Sequence, residues 1–282
     1  RPVIYINRYK NCYYYKWVYD NQILIIALTL FGLTIKAQEE LYLVFEFMKV
    51  DNEQMVAYDE TETFWEKIQQ QRVKSGDIIG WDLWSLQPGG EMQDFQYLTV
   101  SLYNDPVKMM DGSSWENLWE RAKAAYPNMT EEDITTKING SAKTRDLAVR
   151  IFAHEIATTT GSSPNEMVLG TVAQIDMMKV ALEHYNTYEN AEEKVFQPLH
   201  QKAVDSGEKI SWGLIRFINP IGSDTYASHM TVSMFKDYKQ ALNQNINFNE
   251  GATPAKTKLM QEGVAARDMK YVYLAQLIKM AR

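Results

Sequence analysis

This chain says nearly the same thing twice. Glu62–Trp84 reads ETFWEKIQQQRVKSGDIIGWDLW, and Glu193–Ile215 reads EKVFQPLHQKAVDSGEKISWGLI. Downstream, YLTVSLYND (Tyr97–Asp105) returns as HMTVSMFKD (His229–Asp237). Each copy of such a repeat is a unit that must stack on its partner to bury a continuous core. The spacing between copies is 131 residues at Ser75/Ser206 and Trp81/Trp212, 132 at Thr99/Thr231 and 122 at Arg145/Arg267. The first copy is therefore expected to carry about ten extra residues near Asp105–Ser114, read as a surface loop or a lid.

Within the first copy, Leu41–Val50 alternates with period two, which predicts a strand. Asn52–Lys74 follows with helical spacing, and Ser75-Gly76 stops it, Gly supplying the left-handed residue a helix end prefers. Strands are expected at Ile78–Leu86, Phe95–Tyr103 and Asp146–Ala157, with helix between the last two. The second copy repeats the order: strand Met167–Met177, helix Val180–Val204, strands Lys209–Ile218 and Ser228–Phe235, helix, and strand Arg267–Lys279. The order β-α-β-β-α-β is that of a ferredoxin-like unit.

The remaining sequence bounds location and partners. Acidic residues outnumber basic ones, 36 to 29, which argues against nucleic acid as a partner. Ile23–Ile35 is a short apolar run ending before Lys36-Ala37-Gln38. Thirteen residues are too few for a membrane-crossing helix, which needs about 20. We read the run as a secretory signal peptide cleaved after Ala37, leaving an exported protein, periplasmic or secreted, with no membrane association. Arg1–Asn21 reads as a spurious extension of the gene start and holds Cys12, the single cysteine. The expected organisation is thus 1–37 extension and signal peptide, 38–160 first repeat and 161–282 second repeat.

Val73-Lys74-Ser75-Gly76 with Ile79-Gly80-Trp81-Asp82-Leu83, and Val204-Asp205-Ser206-Gly207 with Ile210-Ser211-Trp212-Gly213-Leu214, carry a family likeness. The pattern resembles the dimeric α+β barrel superfamily, which includes NIPSNAP-like and EthD-like proteins, small monooxygenases and chlorite-dismutase-like haem proteins. The likeness implies an α+β fold: two ferredoxin-like βαββαβ repeats packed sheet to sheet as an intramolecular α+β barrel. It implies nothing specific about chemistry, because the matching positions are packing positions.

Site residues follow from strand alternation. With the all-apolar faces set against the helices, the opposite faces turn into a lumen between the repeats. They bring Tyr42, Glu46, Asp82, Trp84, Tyr97, Thr99, Ser101, Arg150 and His154 from the first copy, and Gln174, Asp176, His229, Thr231 and Ser233 from the second. The expected ligand-binding set is Glu46, Asp82, Trp84, Tyr97, Arg150, His154, His200 and His229, with His154 or His229 as proton shuttle if the lumen is catalytic. His200 stands where the first copy has Gln69, and His184 is read as a surface residue. His154-Glu155 opens like a zinc HExxH motif, but Thr158 occupies the place of the second His, so no metal is expected. No cofactor is expected either; haem is the one the resemblance leaves open, and no local motif selects an axial His. The leading reading is a module that binds a small molecule in the lumen. The alternatives are a cofactor-independent or haem-dependent oxygenase- or isomerase-like enzyme, and a structural module with a filled barrel.

Overall fold

Eight alternating segments become eight strands in the computed structural model, which describes residues 40–90, 93–111, 115–161 and 167–282. The expected extension and signal peptide lie outside the described residues. The first copy runs β1 (Tyr42–Lys49), α1 (Met55–Lys74), β2 (Gly80–Gln87), β3 (Tyr97–Tyr103), α2 (Pro106–Asp111), α3 (Trp115–Ala125), α4 (Glu131–Gly140) and β4 (Asp146–Thr158). The second runs β5 (Val172–Val180), α5 (Tyr185–Ala191), a π turn (Glu192–Phe196), α6 (Gln197–Asp205), β6 (Ser211–Asn219), β7 (His229–Phe235), α7 (Tyr238–Leu242), α8 (Pro254–Ala265) and β8 (Arg267–Ala281).

The strands close in the order β1-β3-β2-β8-β5-β7-β6-β4, each pair antiparallel. Every copy contributes four strands, and the two sets join at their edges. The last strand of each copy is long enough to serve both. Asp146–His154 of β4 pairs with β1, while Phe152–Thr158 pairs with β6. Arg267–Gln276 of β8 pairs with β5, and Leu274–Ala281 with β2. Closure leaves no open sheet edge, the standing liability of β structure. The fold is the expected α+β barrel of two ferredoxin-like repeats.

What differs is which face looks inward. Leu43, Phe45 and Phe47 of β1, Leu98, Val100 and Leu102 of β3, and Ile175 and Met177 of β5 pack in one buried cluster with Trp84 and Leu86. These all-apolar faces fill the barrel; they do not meet the helices. The polar faces of β1, β3, β4, β5 and β7 point outward, under the helices, which reverses the expectation of a polar lumen. On β2 alone the expected sense holds: Trp81 and Leu83 pack outward, and Trp84 and Leu86 pack inward. The physical reason is enclosure. The barrel interior is filled by buried apolar side chains, so unpaired polar groups there would be costly. The space under the helices reaches solvent and tolerates them. An apolar cavity of about 200 Å³ remains of the lumen, lined by Phe47, Met177, Phe217, Tyr226 and Tyr273 among others.

The twin helix stops behave as read. Gly76 has φ 70° and Gly207 has φ 75°, a conformation glycine adopts without steric cost. The amides of Asp77 and Glu208 reach back to the carbonyls of Arg72 and Ala203 at 3.0 and 2.8 Å. The extra residues of the first copy go into α3, whose Leu118, Trp119 and Ala122 pack with Phe64 and Ile68 of α1. The second copy crosses 243–253 without a helix. In both copies a threonine then caps the next helix: Thr130 Oγ1 accepts from Asp133 N at 3.1 Å, and Thr253 Oγ1 from Lys256 N at 3.3 Å.

One register detail corrects the sequence alignment. Met48/Met178 and Tyr58/Tyr188 are 130 residues apart, but Ser75/Ser206 are 131 apart. The π turn in the second copy absorbs that single extra residue. Glu62 therefore corresponds to the buried Glu192, and not to the exposed Glu193.

Candidate functional site

Turning the polar faces outward creates one cleft per copy, between the outer surface of the sheet and its helices. The first has a volume of about 520 Å³ and the second about 850 Å³, within the range of small-molecule sites.

The two clefts share a buried floor. Glu62 on α1 is 1% exposed and pairs with Arg145 at 2.9 Å; Glu192 is 4% exposed and lies under the field of Arg267. Burial raises both carboxyls to about 7, against the downward pull of their arginines. Arg145 and Arg267 also meet the sulfurs of Met48 and Met178, at 3.5 and 3.0 Å. Sequence reasoning missed both acids. The repeat held the signal: a Tyr four residues before each Glu, Tyr58 and Tyr188, and an Arg opening each last strand.

Above this floor the clefts diverge. In the first, Glu46 and Arg150 face each other across β1 and β4 and pair at 2.5 Å, with Thr99 Oγ1 donating to Glu46 at 3.2 Å. Trp65, Trp81 and Phe152 supply aromatic wall. Arg72, near the end of α1, is buried and donates to Gln69 Oε1 at 2.8 Å and Tyr103 Oη at 3.3 Å.

In the second cleft, Phe196, Trp212, Phe248, Met260, Val264 and Val272 give an apolar wall. Asp176 lies on its floor, accepting from Gln174 Nε2 at 2.9 Å and Thr231 Oγ1 at 3.1 Å; burial raises its carboxyl and these bonds pull it back. His200 stacks on Trp212 with ring centroids 4.9 Å apart and planes 13° off parallel. Its Nδ1 lies 3.0 Å from Lys209 Nζ. Burial, with help from Lys209, lowers the imidazole to about 3, and burial lowers Lys209 itself to about 8. At neutral pH the pair is therefore neutral imidazole beside ammonium. An ammonium has only donors, so Nδ1 must accept and the ring proton sits on Nε2. Among the described residues Nε2 has no hydrogen-bond partner, so the cleft is offered an N–H.

The structure scatters the expected site set. Glu46 and Arg150 share the first cleft, and His200 lines the second. Asp82 lies on the barrel side, held by Arg282 at 2.7 Å and raised by burial to about 6. Trp84 is barrel core. Tyr97 packs on Tyr58 with centroids 4.5 Å apart. His154 stacks on Tyr42 at 4.6 Å, outside both clefts, and burial lowers its imidazole pKa. His229 is fully buried between the edges of Tyr185 and Tyr188, with Nδ1 at 3.0 Å from Ser228 Oγ and Nε2 at 2.9 Å from Glu189. Both its nitrogens are hydrogen-bonded, and it lines neither cleft. His184 is exposed, as read.

Haem can be tested against these residues. An axial imidazole needs a lone pair aimed at open space. His229 has no nitrogen to spare, His154 and His184 line neither cleft, and His200 presents N–H instead of a lone pair. As arranged, the residues do not fit haem ligation. Among the described residues no cluster of three or more His, Cys, Asp or Glu could hold a metal ion.

No family model matches the chain, and no curated protein does. Solved structures do. A proposed monooxygenase from Fusobacterium nucleatum subsp. nucleatum is 12% identical over 87% of this chain and 95% of that one, with a TM-score of 0.52. A proposed monooxygenase from Lactobacillus acidophilus is 9% identical over 86% and 96%, also at 0.52. A proposed chlorite dismutase is 8% identical over 85% and 95%, at 0.47. At such identities the first two show the fold alone, an α+β barrel.

Proposed function

We propose that the protein binds a small, largely apolar molecule bearing a hydrogen-bond acceptor, and that the site is the cleft of the second copy. One observation carries this reading: an aromatic-walled cavity of about 850 Å³ containing His200, whose Nδ1 is taken by Lys209 and whose Nε2–H has no acceptor among the described residues. A ligand carbonyl that reaches this half-buried N–H would gain a hydrogen bond, worth about 1 kcal/mol net. This moves the binding site from the expected lumen to the space between sheet and helices.

The oxygenase- or isomerase-like alternative draws support from Glu192, which lines the same cavity and titrates near neutrality. A general base is most effective with its pKa near the working pH. In this reading the Glu192 carboxylate takes a proton from the carbon beside a ligand carbonyl. The carbonyl oxygen becomes an enolate that accepts from His200 Nε2–H, a role a neutral imidazole can fill. The two structural neighbours described as monooxygenases suit such a carbanion-forming step. Membership in the NIPSNAP-like or EthD-like branch is likewise our reading, supported by the V-x-S-G and I-x-W-x-L segments in both copies. Export rests on the Ile23–Ala37 pattern.

The test uses 1-tetralone, a ring ketone, and tetralin, its parent hydrocarbon. The His200 Nε2–H resonance should shift with tetralone and stay put with tetralin. A signal indifferent to both would remove the binding reading. In D₂O, tetralone should exchange its α-hydrogens faster with the protein than with E192Q; equal rates would leave binding without catalysis.

A further inference from the structure

Among the described residues, none neutralises one cation of the first copy. Arg72 is 7% exposed and lines the first cleft, yet no carboxylate lies within ion-pair distance among the described residues. Of the five N–H donors of a guanidinium, Gln69 Oε1 and Tyr103 Oη take two, both neutral acceptors. Its Nε is buried with no hydrogen-bond partner. The carboxylates of the cleft are committed elsewhere, Glu46 to Arg150 and Glu62 to Arg145, while Asp111 sits at the exposed rim. The end of α1 offers little compensation, since the carbonyls of Gln71, Arg72 and Val73 already accept from Ser75, Asp77 and Gly76.

Arg72 is also dispensable to the architecture. The second copy builds the same helix, the same Ser-Gly stop and the same strand with Ala203 in its place. A buried, unpaired guanidinium that the repeat can do without is costly unless something else offsets it.

We propose that the first cleft is a second, separate binding site, for a small organic acid whose carboxylate docks on Arg72 and whose aromatic body lies among Trp65, Trp81 and Phe152. Guanidinium matches carboxylate in a two-pronged geometry, and the three rings supply the apolar wall. The two clefts would then differ in ligand charge: an anion in the first, a neutral acceptor in the second.

Calorimetric titration of the full chain with 1-naphthoate and with the uncharged 1-naphthamide tests this. The expected result is naphthoate binding at least tenfold tighter than naphthamide, with the ratio falling to about one in R72Q. Equal affinities in the wild type, or a ratio unchanged in R72Q, would overturn the proposal. Should R72Q not fold, R72A is the second variant, since the equivalent position of the repeat already carries alanine. Any apolar binding in the other cleft adds equally to both probes and leaves no dependence on Arg72.

Discussion

Gln69 and His200 occupy the same position in the two copies, and each accepts a hydrogen bond from a buried cation. In the first cleft the cation is Arg72, three residues along the same helix, at 2.8 Å. In the second it is Lys209, two residues before β6, at 3.0 Å. Where one copy has its cation the other has an apolar side chain: Ala203 answers Arg72, and Ile78 answers Lys209. The scaffold thus keeps one buried positive charge per cleft while changing its source. The consequence is chemical. Gln69 can only relay an amide, whereas His200 is fixed as a neutral N–H donor. The Glu62/Arg145 and Glu192/Arg267 floors, by contrast, are retained in both.

The retained floor gives the largest expected effect. Each glutamate is raised from 4.5 to about 7, so between those values the folded state holds more protons than the unfolded state. Stability then falls as pH rises from 4.5 to 7. A shift of this size corresponds to about 3 kcal/mol per residue at neutral pH. E62Q and E192Q should each raise unfolding free energy at pH 7 by about that amount and flatten this slope, measured by urea denaturation across the window. Equal gains in both would confirm that the floors are equivalent. A gain in one copy only would break the comparison at its base.

The exchanged cation comes next. Lys209 is 2% exposed and lowered by burial from 10.5 to about 8. Below pH 8 the folded state carries an ammonium that water would hold better, and stability rises with pH between 8 and 10.5 as that charge is lost. K209M should remove the rise. It should also stabilise the protein at pH 7 by about 2 kcal/mol, the desolvation penalty less the lost bonds to His200 and Ser233. It should raise the pKa of His200 as well, because Lys209 helps lower it. An imidazole that stays put in K209M would show that Lys209 does not set its state.

The fold was legible because repetition, alternation and the Ser-Gly stops are local patterns. The site was less so, for two physical reasons. Alternation sorts residues into two faces but does not say which face is enclosed; only closure of the barrel decides that, and it sent Leu43, Phe45 and Phe47 inward and Glu46 outward. The floor was hidden differently. Glu62 and Arg145 lie 83 positions apart, and a one-residue π turn shifted their counterpart from the aligned Glu193 to Glu192. His200 was visible as a departure between the copies, the kind of place where an unequal repeat carries function. Its partner Lys209 departs in the same way, against Ile78, but its burial depends on tertiary packing.

The smallest effect isolates the exchange at that position alone. His200 is lowered from 6.5 to about 3, so between those values the unfolded state binds a proton that the folded state refuses. Stability contributed by this group is intact above pH 6.5 and is lost progressively as pH falls toward 3. H200Q installs the residue the first copy uses and has no proton to gain. Relative to H200Q, the wild type should lose about 1 kcal/mol by pH 5.5, since one pKa unit is worth about 1.4 kcal/mol. Parallel stability curves for the two proteins from pH 7 to 5.5 would mean that His200 titrates normally. The imidazole would then be free of Lys209, and its Nε2 would no longer be a fixed donor. That single outcome would dissolve the chemical difference between the clefts, leaving size and the Arg72 charge as what separates them.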